Sequence, residues 1–267
     1  MTSLNRSREE RVLQPVIQVR KVIIRNDHGE NLVGILHETG SKELVIVCHG
    51  LESSKDRIPM VTLATVLAKE GVSAYRFDFA GNGCGHGLEM NSYLTGCEGG
   101  NAVLLYASKY NDVRTVVNIS GRFNLERGIE GRLGKDFLER IKRDGFIDVK
   151  NRKGKFKYRV TEESLTDRLT TDTPAACALI RQDCRVLTVH GSMDRIVPME
   201  DAFEFDRIIS NHKLHIVEGA DHEYTSHQDQ LAEIVLDFLR LDIPPAGGAD
   251  EHSLFYSRKD GSVRSRL

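Results

Sequence analysis

Two loops of this chain carry an aspartate and a histidine in contexts suited to acid–base work. The first is Val189-His-Gly-Ser-Met-Asp-Arg-Ile-Val-Pro198, with Asp194 five residues beyond the apolar run Arg185–Val189. The second is Glu218-Gly-Ala-Asp-His-Glu-Tyr-Thr-Ser-His227, with His222 28 residues after Asp194 and just past the run Lys213–Val217. A carboxylate that accepts from one imidazole nitrogen fixes the tautomer and leaves the other to take a proton from a nucleophile. Either residue alone would be a commonplace loop group. Both together, each past a short apolar run and in the order acid then base, point to nucleophilic acyl transfer.

A third segment, Cys48-His-Gly-Leu-Glu-Ser-Ser-Lys-Asp56, follows the apolar run Glu43–Cys48. A backbone N–H here, that of Leu51, is placed to face a developing oxyanion, and one such donor contributes roughly 3–4 kcal/mol in the transition state. Gly50 equally permits a tight strand-to-helix turn, and the two readings are compatible.

The elements that must position these loops alternate along the chain. Val16–Ile24 and Leu32–Leu36 are β-rich and flank the turn residues Asn26-Asp-His-Gly29, which predicts a hairpin. Glu43–Cys48 has the composition of a strand buried on both faces. Ile58–Lys69 has helical spacing, Val72–Phe79 reads as a strand and Asn101–Ser108 as a helix. Val113–Ile119, Arg185–Val189 and Lys213–Val217 are further strands, and Gln228–Leu239 has an amphipathic helical pattern. Strands that alternate with helices predict an α/β fold with a mostly parallel sheet, whose functional edge lies at the carboxyl ends of the strands. Residues 122–184 interrupt the alternation. There Gly131–Asp144 and Thr161–Leu169 are predicted helices, with the basic stretch Lys150-Asn-Arg-Lys-Gly-Lys-Phe-Lys157 between them as a solvated hairpin. This predicts a cap inserted into a domain of residues 16–242, with a flexible N-terminus at 1–15 and a disordered tail at 243–267.

These segments resemble the serine aminopeptidase and cinnamoyl-esterase-like branch of the α/β-hydrolases, plant members especially. The resemblance rests on His49-Gly50, Arg76-Phe-Asp-Phe-Ala-Gly-Asn-Gly83, the stretch from Asn101 to Gly134, His190 to Pro198 and Gly219 to Glu223. It implies hydrolysis of carboxylic esters, or of small amides or peptides, by a nucleophile served by His222 and Asp194, under a cap. It implies no cofactor.

The chain departs from that family where the nucleophile belongs. The strand-to-helix turn needs the pattern Gly-x-Ser-x-Gly; here the segment reads Thr95-Gly-Cys-Glu-Gly-Gly100. Aligning Gly99-Gly100-Asn101 with the family puts Cys97 at the nucleophile and makes the N–H of Glu98 the second oxyanion donor. Only 14 residues separate Gly83 from Cys97, whereas a crossover helix, a strand and two loops need about 24. A central strand is therefore shortened, replaced or missing. Cys97 is then either a thiolate nucleophile activated by His222 and a helix N-terminus, or a junction residue out of reach. The second alternative makes the chain an inactive hydrolase-like protein that binds a ligand or partner, or a shortened splice product.

The remaining signals exclude more than they assign. A net charge of −2 gives no basic field for nucleic acid. No apolar run reaches membrane-spanning length, and the first ten residues lack the core of a secretory signal. Five irregularly spaced cysteines without a C-x-x-C pair argue against a disulfide framework or zinc site and for a cytoplasmic protein. Cys48 and Cys184 read as buried small hydrophobes. The expected partner is a small ester or amide substrate, with no membrane, nucleic acid or metal.

Overall fold

The computed structural model describes residues 16–80 and 98–240. Strands β1 (Gln18–Arg25) and β2 (Asn31–Glu38) form the expected hairpin, paired antiparallel from Gln18–Glu38 to Arg25–Asn31. Its turn is held by Asn26, whose side-chain oxygen accepts from the N–H groups of His28 (3.1 Å) and Glu30 (2.8 Å). Then come β3 (Leu44–Cys48), α1 (Ile58–Lys69) and β4 (Ser73–Phe77). β3 and β4 pair in parallel, and the first sheet has the order β1-β2-β4-β3.

Helix α2 (Glu98–Lys109) leads into β5 (Thr115–Ile119). After the insertion come β8 (Arg185–Gly191), α7 (Glu200–Ile208), β9 (His212–Val217) and α8 (Gln228–Arg240). The second sheet is wholly parallel, in the order β5-β8-β9. Among the described residues no strand joins β3 to β5, so the α/β architecture stands as two half-sheets.

Burial across the gap holds the halves together. Leu63 of α1 packs in one cluster with Leu187 and Val189 of β8, Val217 of β9 and Val235 of α8. Leu236 of α8 returns to Ala64 and Leu67 of α1 and Ala74 of β4. The expectation that β3 is covered on both faces does not hold. Val45 packs toward α1, but Leu44 and Ile46 keep 52% and 50% of their surface exposed. The apolar run reported burial; it carried no information on how many faces a covering layer reaches.

The insertion between β5 and β8 builds its own core. It comprises α3 (Ile129–Leu133), α4 (Phe137–Asp144), the hairpin of β6 (Phe146–Lys150) and β7 (Phe156–Thr161), α5 (Glu162–Thr170) and α6 (Thr173–Ala178). Ile129, Phe137, Ile141, Ile147, Tyr158 and Leu165 pack there with one another. The single helix expected over Gly131–Asp144 is two, broken at Gly134, which sits at φ +93. Helix α5 starts on a capping box in which Thr161 and Ser164 exchange side-chain to backbone bonds. The basic stretch forms the exposed turn of β6–β7, as expected, closed by Asn151 N–H to the carbonyl of Lys155 (2.8 Å).

Candidate active site

The carboxyl ends of β8 and β9 bring Asp194 and His222 together. β8 is buried along most of its length and ends at Gly191, where an added Cβ would lie 2.4 Å from the carbonyl oxygen of Ala220. Only glycine allows the loops after β8 and β9 to lie this close. Two cross-links follow: Met193 N–H donates to Ala220 O (3.0 Å) and Gly219 N–H to Ser192 Oγ (2.8 Å).

Asp194 then occupies a tight turn of its own making. Its Oδ1 accepts from the N–H groups of Ile196 (2.8 Å) and Val197 (2.9 Å), and its Oδ2 accepts from His222 Nδ1 at 2.7 Å. The Asp194 side chain is fully buried, while that of His222 is 24% exposed. A carboxylate only accepts, so Nδ1 of His222 carries the proton. Burial alone would push the Asp194 carboxyl up; the hydrogen bond and charge of His222, with the two backbone N–H groups, hold it below the usual carboxylate range.

Two neighbours missed by sequence reasoning complete this corner. His190, fully buried, donates from Nε2 to Val197 O (3.0 Å), and the same nitrogen lies 3.5 Å from Asp194 Oδ2. Tyr224 is 1% exposed at φ +52. It donates to Val189 O at 2.9 Å and meets Ser120 Oγ at 3.1 Å. Its signal in the sequence was its place two residues after the histidine, which composition alone does not distinguish.

Leu51 lies in the turn after β3. His49 beside it is structural: Nδ1 donates to Gly50 O (2.8 Å) and Nε2 accepts from Phe79 N–H (3.2 Å), in full burial. The loop is pinned from below by buried charges. Lys55 Nζ binds Asp78 Oδ2 (2.7 Å) and Asp56 Oδ2 (3.0 Å), and Asp78 Oδ1 accepts Lys55 N–H (2.7 Å). Arg76 donates to Lys55 O (2.8 Å) and Asp56 Oδ1 (2.6 Å). Burial would lower the Lys55 ammonium; its bonds and charge pairing with Asp78 and Asp56 raise it above its ordinary value. The sequence did signal this group, through Arg76 and Asp78 in an otherwise apolar strand, but not its partners. Glu52, at φ +56, forms an ion pair with Lys157 of the insertion hairpin, which ties the insertion to this loop.

Helix α2 begins at Glu98, three residues before the expected Asn101. Gly99 and Gly100 weaken helix propensity, yet packing requires them. An added Cβ on Gly99 would lie 2.3 Å from the backbone oxygen of Cys48, and one on Gly100 2.4 Å from Asn118 Oδ1. The helix thus starts wedged between the ends of β3 and β5. A cavity of about 290 Å³ runs from the gap between the half-sheets to His222, lined by Val47, Cys48, Leu51, Gly99, Ile119 and Ser120 among others. Leu51, the start of α2 and His222 therefore face one space. Cys97 lies outside the described residues, as do Gly81–Gly83, Cys84, His86 and both chain termini.

Other groups near the strand ends are partly or fully buried in the structure. Burial pushes the Cys48 thiol up to about 12, so it is protonated at neutral pH, and Cys184 is buried as expected. Ser120, at φ +51, is buried against Tyr224. No group of three His, Cys, Asp or Glu among the described residues is placed to hold a metal ion. No helix among them is long and apolar enough to cross a membrane.

Parallel strands, an insertion before the acid strand, and an Asp–His pair at the carboxyl edge together define an α/β-hydrolase fold, and comparison with solved structures bears this out. The chain is similar to Est1E of Butyrivibrio proteoclasticus with ferulic acid bound (21% identity, TM-score 0.68, 82% of this chain and 98% of that one). It is also similar to the esterase domain of a Rhodothermus marinus protein (19%, TM-score 0.61, 84% and 98%). Mouse α/β-hydrolase domain-containing protein 10 gives 16%, TM-score 0.63, 84% and 100%. Among curated sequences, an uncharacterised protein of Saccharomyces cerevisiae is 24% identical over 234 residues, covering 68% of this chain and 69% of its own. No family model matches the chain.

Proposed function

We propose that the chain hydrolyses carboxylic esters, with small amides or peptides as lesser substrates, in the manner of the serine aminopeptidase and cinnamoyl-esterase-like branch but with cysteine as nucleophile. His222 takes the proton of the Cys97 thiol, and the thiolate attacks the ester carbonyl carbon. The N–H groups of Leu51 and Glu98 stabilise the oxyanion. His222 then returns the proton to the leaving alcohol as the thioester forms. Water, deprotonated by His222, cleaves the thioester and releases the acid. Asp194 holds His222 in the tautomer this needs. Residues 122–184 act as the cap that selects the acyl and alcohol groups, and the protein works in the reducing cytoplasm without a cofactor.

The observation that carries this reading is the 2.7 Å bond from His222 to a buried Asp194 at the mouth of the cavity that Leu51 and the start of α2 also line. Proteins of similar fold described as esterases, one of them Est1E with ferulic acid bound, support it as analogy. The test is p-nitrophenyl butyrate turnover by the parent, Cys97→Ala, Cys97→Ser and His222→Ala. Turnover in the parent, lost in Cys97→Ala and His222→Ala, is expected; a fully active His222→Ala variant refutes the mechanism.

The lack of a strand between β3 and β5 among the described residues favours a second reading, in which the cavity binds a ligand without turning it over. Absence of turnover in all four soluble, folded proteins would select it.

A further inference from the structure

Asp194 can orient His222 only as well as its own turn is held, and that turn is gripped from outside. Its Oδ1 is bound by the N–H groups of Ile196 and Val197, so the carboxylate moves with residues 194–197 as one body. Two carbonyls of that body accept bonds from elsewhere: Val197 O from His190 and Ile196 O from Arg122 Nη2, at 2.5 Å.

Arg122 is 3% exposed, just beyond β5. Its Nη1 donates to Arg127 O (3.3 Å), its Nε is buried without a partner, and it forms no ion pair among the described residues. A buried guanidinium that meets only carbonyls is a costly way to fill space. An apolar side chain of similar length would fill it more cheaply, so the fold alone does not account for the charge.

The backbone of Arg122 is itself clamped. Asn101, 1% exposed in the first turn of α2, accepts from Arg122 N–H (3.0 Å) and donates to Arg122 O (2.6 Å). The next residue, Phe123, donates its N–H to Asp201 Oδ2 (3.0 Å) on α7. The arginine therefore bridges two bodies: the start of the helix that follows the nucleophile position, and the turn that carries the acid.

We infer that Arg122 is a positioning residue that sets the Asp194 carboxylate, and through it His222, against the start of α2. The inference rests on the proposed role of His222 and Asp194 but not on the nucleophile. Its effect runs through the Ile196 carbonyl: without the guanidinium the 194–197 turn is free to tilt, and the His222–Asp194 bond lengthens or misaligns.

The test compares Arg122→Met, Arg122→Lys and Arg127→Met in the full chain, the last removing a nearby ion pair without touching Ile196. The first readout is the downfield Nδ1–H resonance of His222 in proton NMR, which reports the bond to Asp194 whether or not the protein turns over substrate. The second is kcat and KM for p-nitrophenyl butyrate. Arg122→Met is expected to shift or broaden the resonance and to lower kcat about 100-fold, the cost of roughly 1 Å of misplacement, with KM unchanged. Arg122→Lys, which keeps one donor for Ile196, restores part of both, and Arg127→Met changes neither. If Arg122→Met does not fold, Asn101→Ala, which frees the Arg122 backbone, is expected to move the resonance the same way. An unperturbed resonance in a folded Arg122→Met or Asn101→Ala variant, or an equal effect in Arg127→Met, overturns the inference. A parent that shows the resonance but no turnover refutes the proposed hydrolase while leaving the role of Arg122 to be decided by NMR.

Discussion

Substituting Gly99 by alanine tests the geometry at the point where the half-sheets meet. The added Cβ would lie 2.3 Å from the Cys48 oxygen and 2.9 Å from that of His49, whereas Cβ contacts below 3.0 Å are essentially never seen. The obstructing atoms are backbone, so no rotamer change relieves them. The start of α2 must move off the end of β3 by most of an ångström. Forced overpacking of this kind costs about 1–3 kcal/mol of stability. The same shift displaces Glu98 N–H from its proposed oxyanion position, and ~1 Å there is worth ~100-fold in rate. Gly131→Ala supplies the control, because Gly131 sits inside α3 with open space around its would-be Cβ. Alanine there should stabilise by about 0.5–1 kcal/mol through lost backbone freedom. The assay is urea unfolding of all three proteins together with p-nitrophenyl butyrate turnover. A Gly99→Ala variant with the parent's midpoint and rate would refute the idea that α2 is wedged against β3.

Asp194→Asn should lower turnover by up to about 10⁴-fold with geometry largely kept, because the asparagine no longer favours the Nδ1–H tautomer. It also has a pH signature. The folded-state pKa of Asp194 is depressed, so its contribution to stability is full above the unfolded value of about 3.9 and fades as pH falls through the folded value. The gap in unfolding midpoint between parent and variant should shrink from pH 7 toward pH 3; a constant gap would contradict the depressed pKa. Lys55→Met leaves the Asp78 carboxylate, whose side chain is 8% exposed, without its cation. It should cost about 3–5 kcal/mol in chemical unfolding, part of which returns when Asp78→Asn is added. Leu63→Ala removes a 5%-exposed side chain from the cluster that joins the half-sheets. It should cost about 2–5 kcal/mol; a loss below ~1 kcal/mol would mean that α1 and α8 do not hold the halves together.

The Asp194–His222 contact was legible because each arm is local: a short apolar run, a turn, and one polar residue whose place follows from strand direction. The β1–β2 hairpin was legible for the same reason, since Asn26 and Gly29 specify their own turn. Three features were not written in the local pattern and were missed. The early start of α2 runs against the propensity of Gly99 and Gly100, and its cause is the backbone of Cys48, some 50 residues upstream. The break at Gly134 needed knowledge of a positive φ inside a run that otherwise reads as continuous helix. Ile46 is half-exposed, and composition records what a strand contains, not what lies over it. The Lys55–Asp78–Arg76 group lay between these cases: the charges were visible in β4 and the following loop, but their pairing required β3 and β4 side by side.

The two parts of the candidate site differ in what they depend on, and this bears on how the chain works. Among the described residues, the bonds Ser192–Gly219, Met193–Ala220 and Tyr224–Val189 that shape the Asp194–His222 pair lie within the β8 and β9 half, and Arg122 adds a link from Ile196 to the start of α2. The first three do not depend on how β3 and β5 are joined. The proposed oxyanion donors come from both sides, with Leu51 beyond β3 and the start of α2 wedged against it by contacts that tolerate no extra atom. The oriented histidine thus depends mainly on one half-sheet, while the proposed oxyanion geometry rests on a few backbone contacts at the end of β3. Loss of activity and loss of the Asp194–His222 bond are therefore separable events, and the second does not follow from the first.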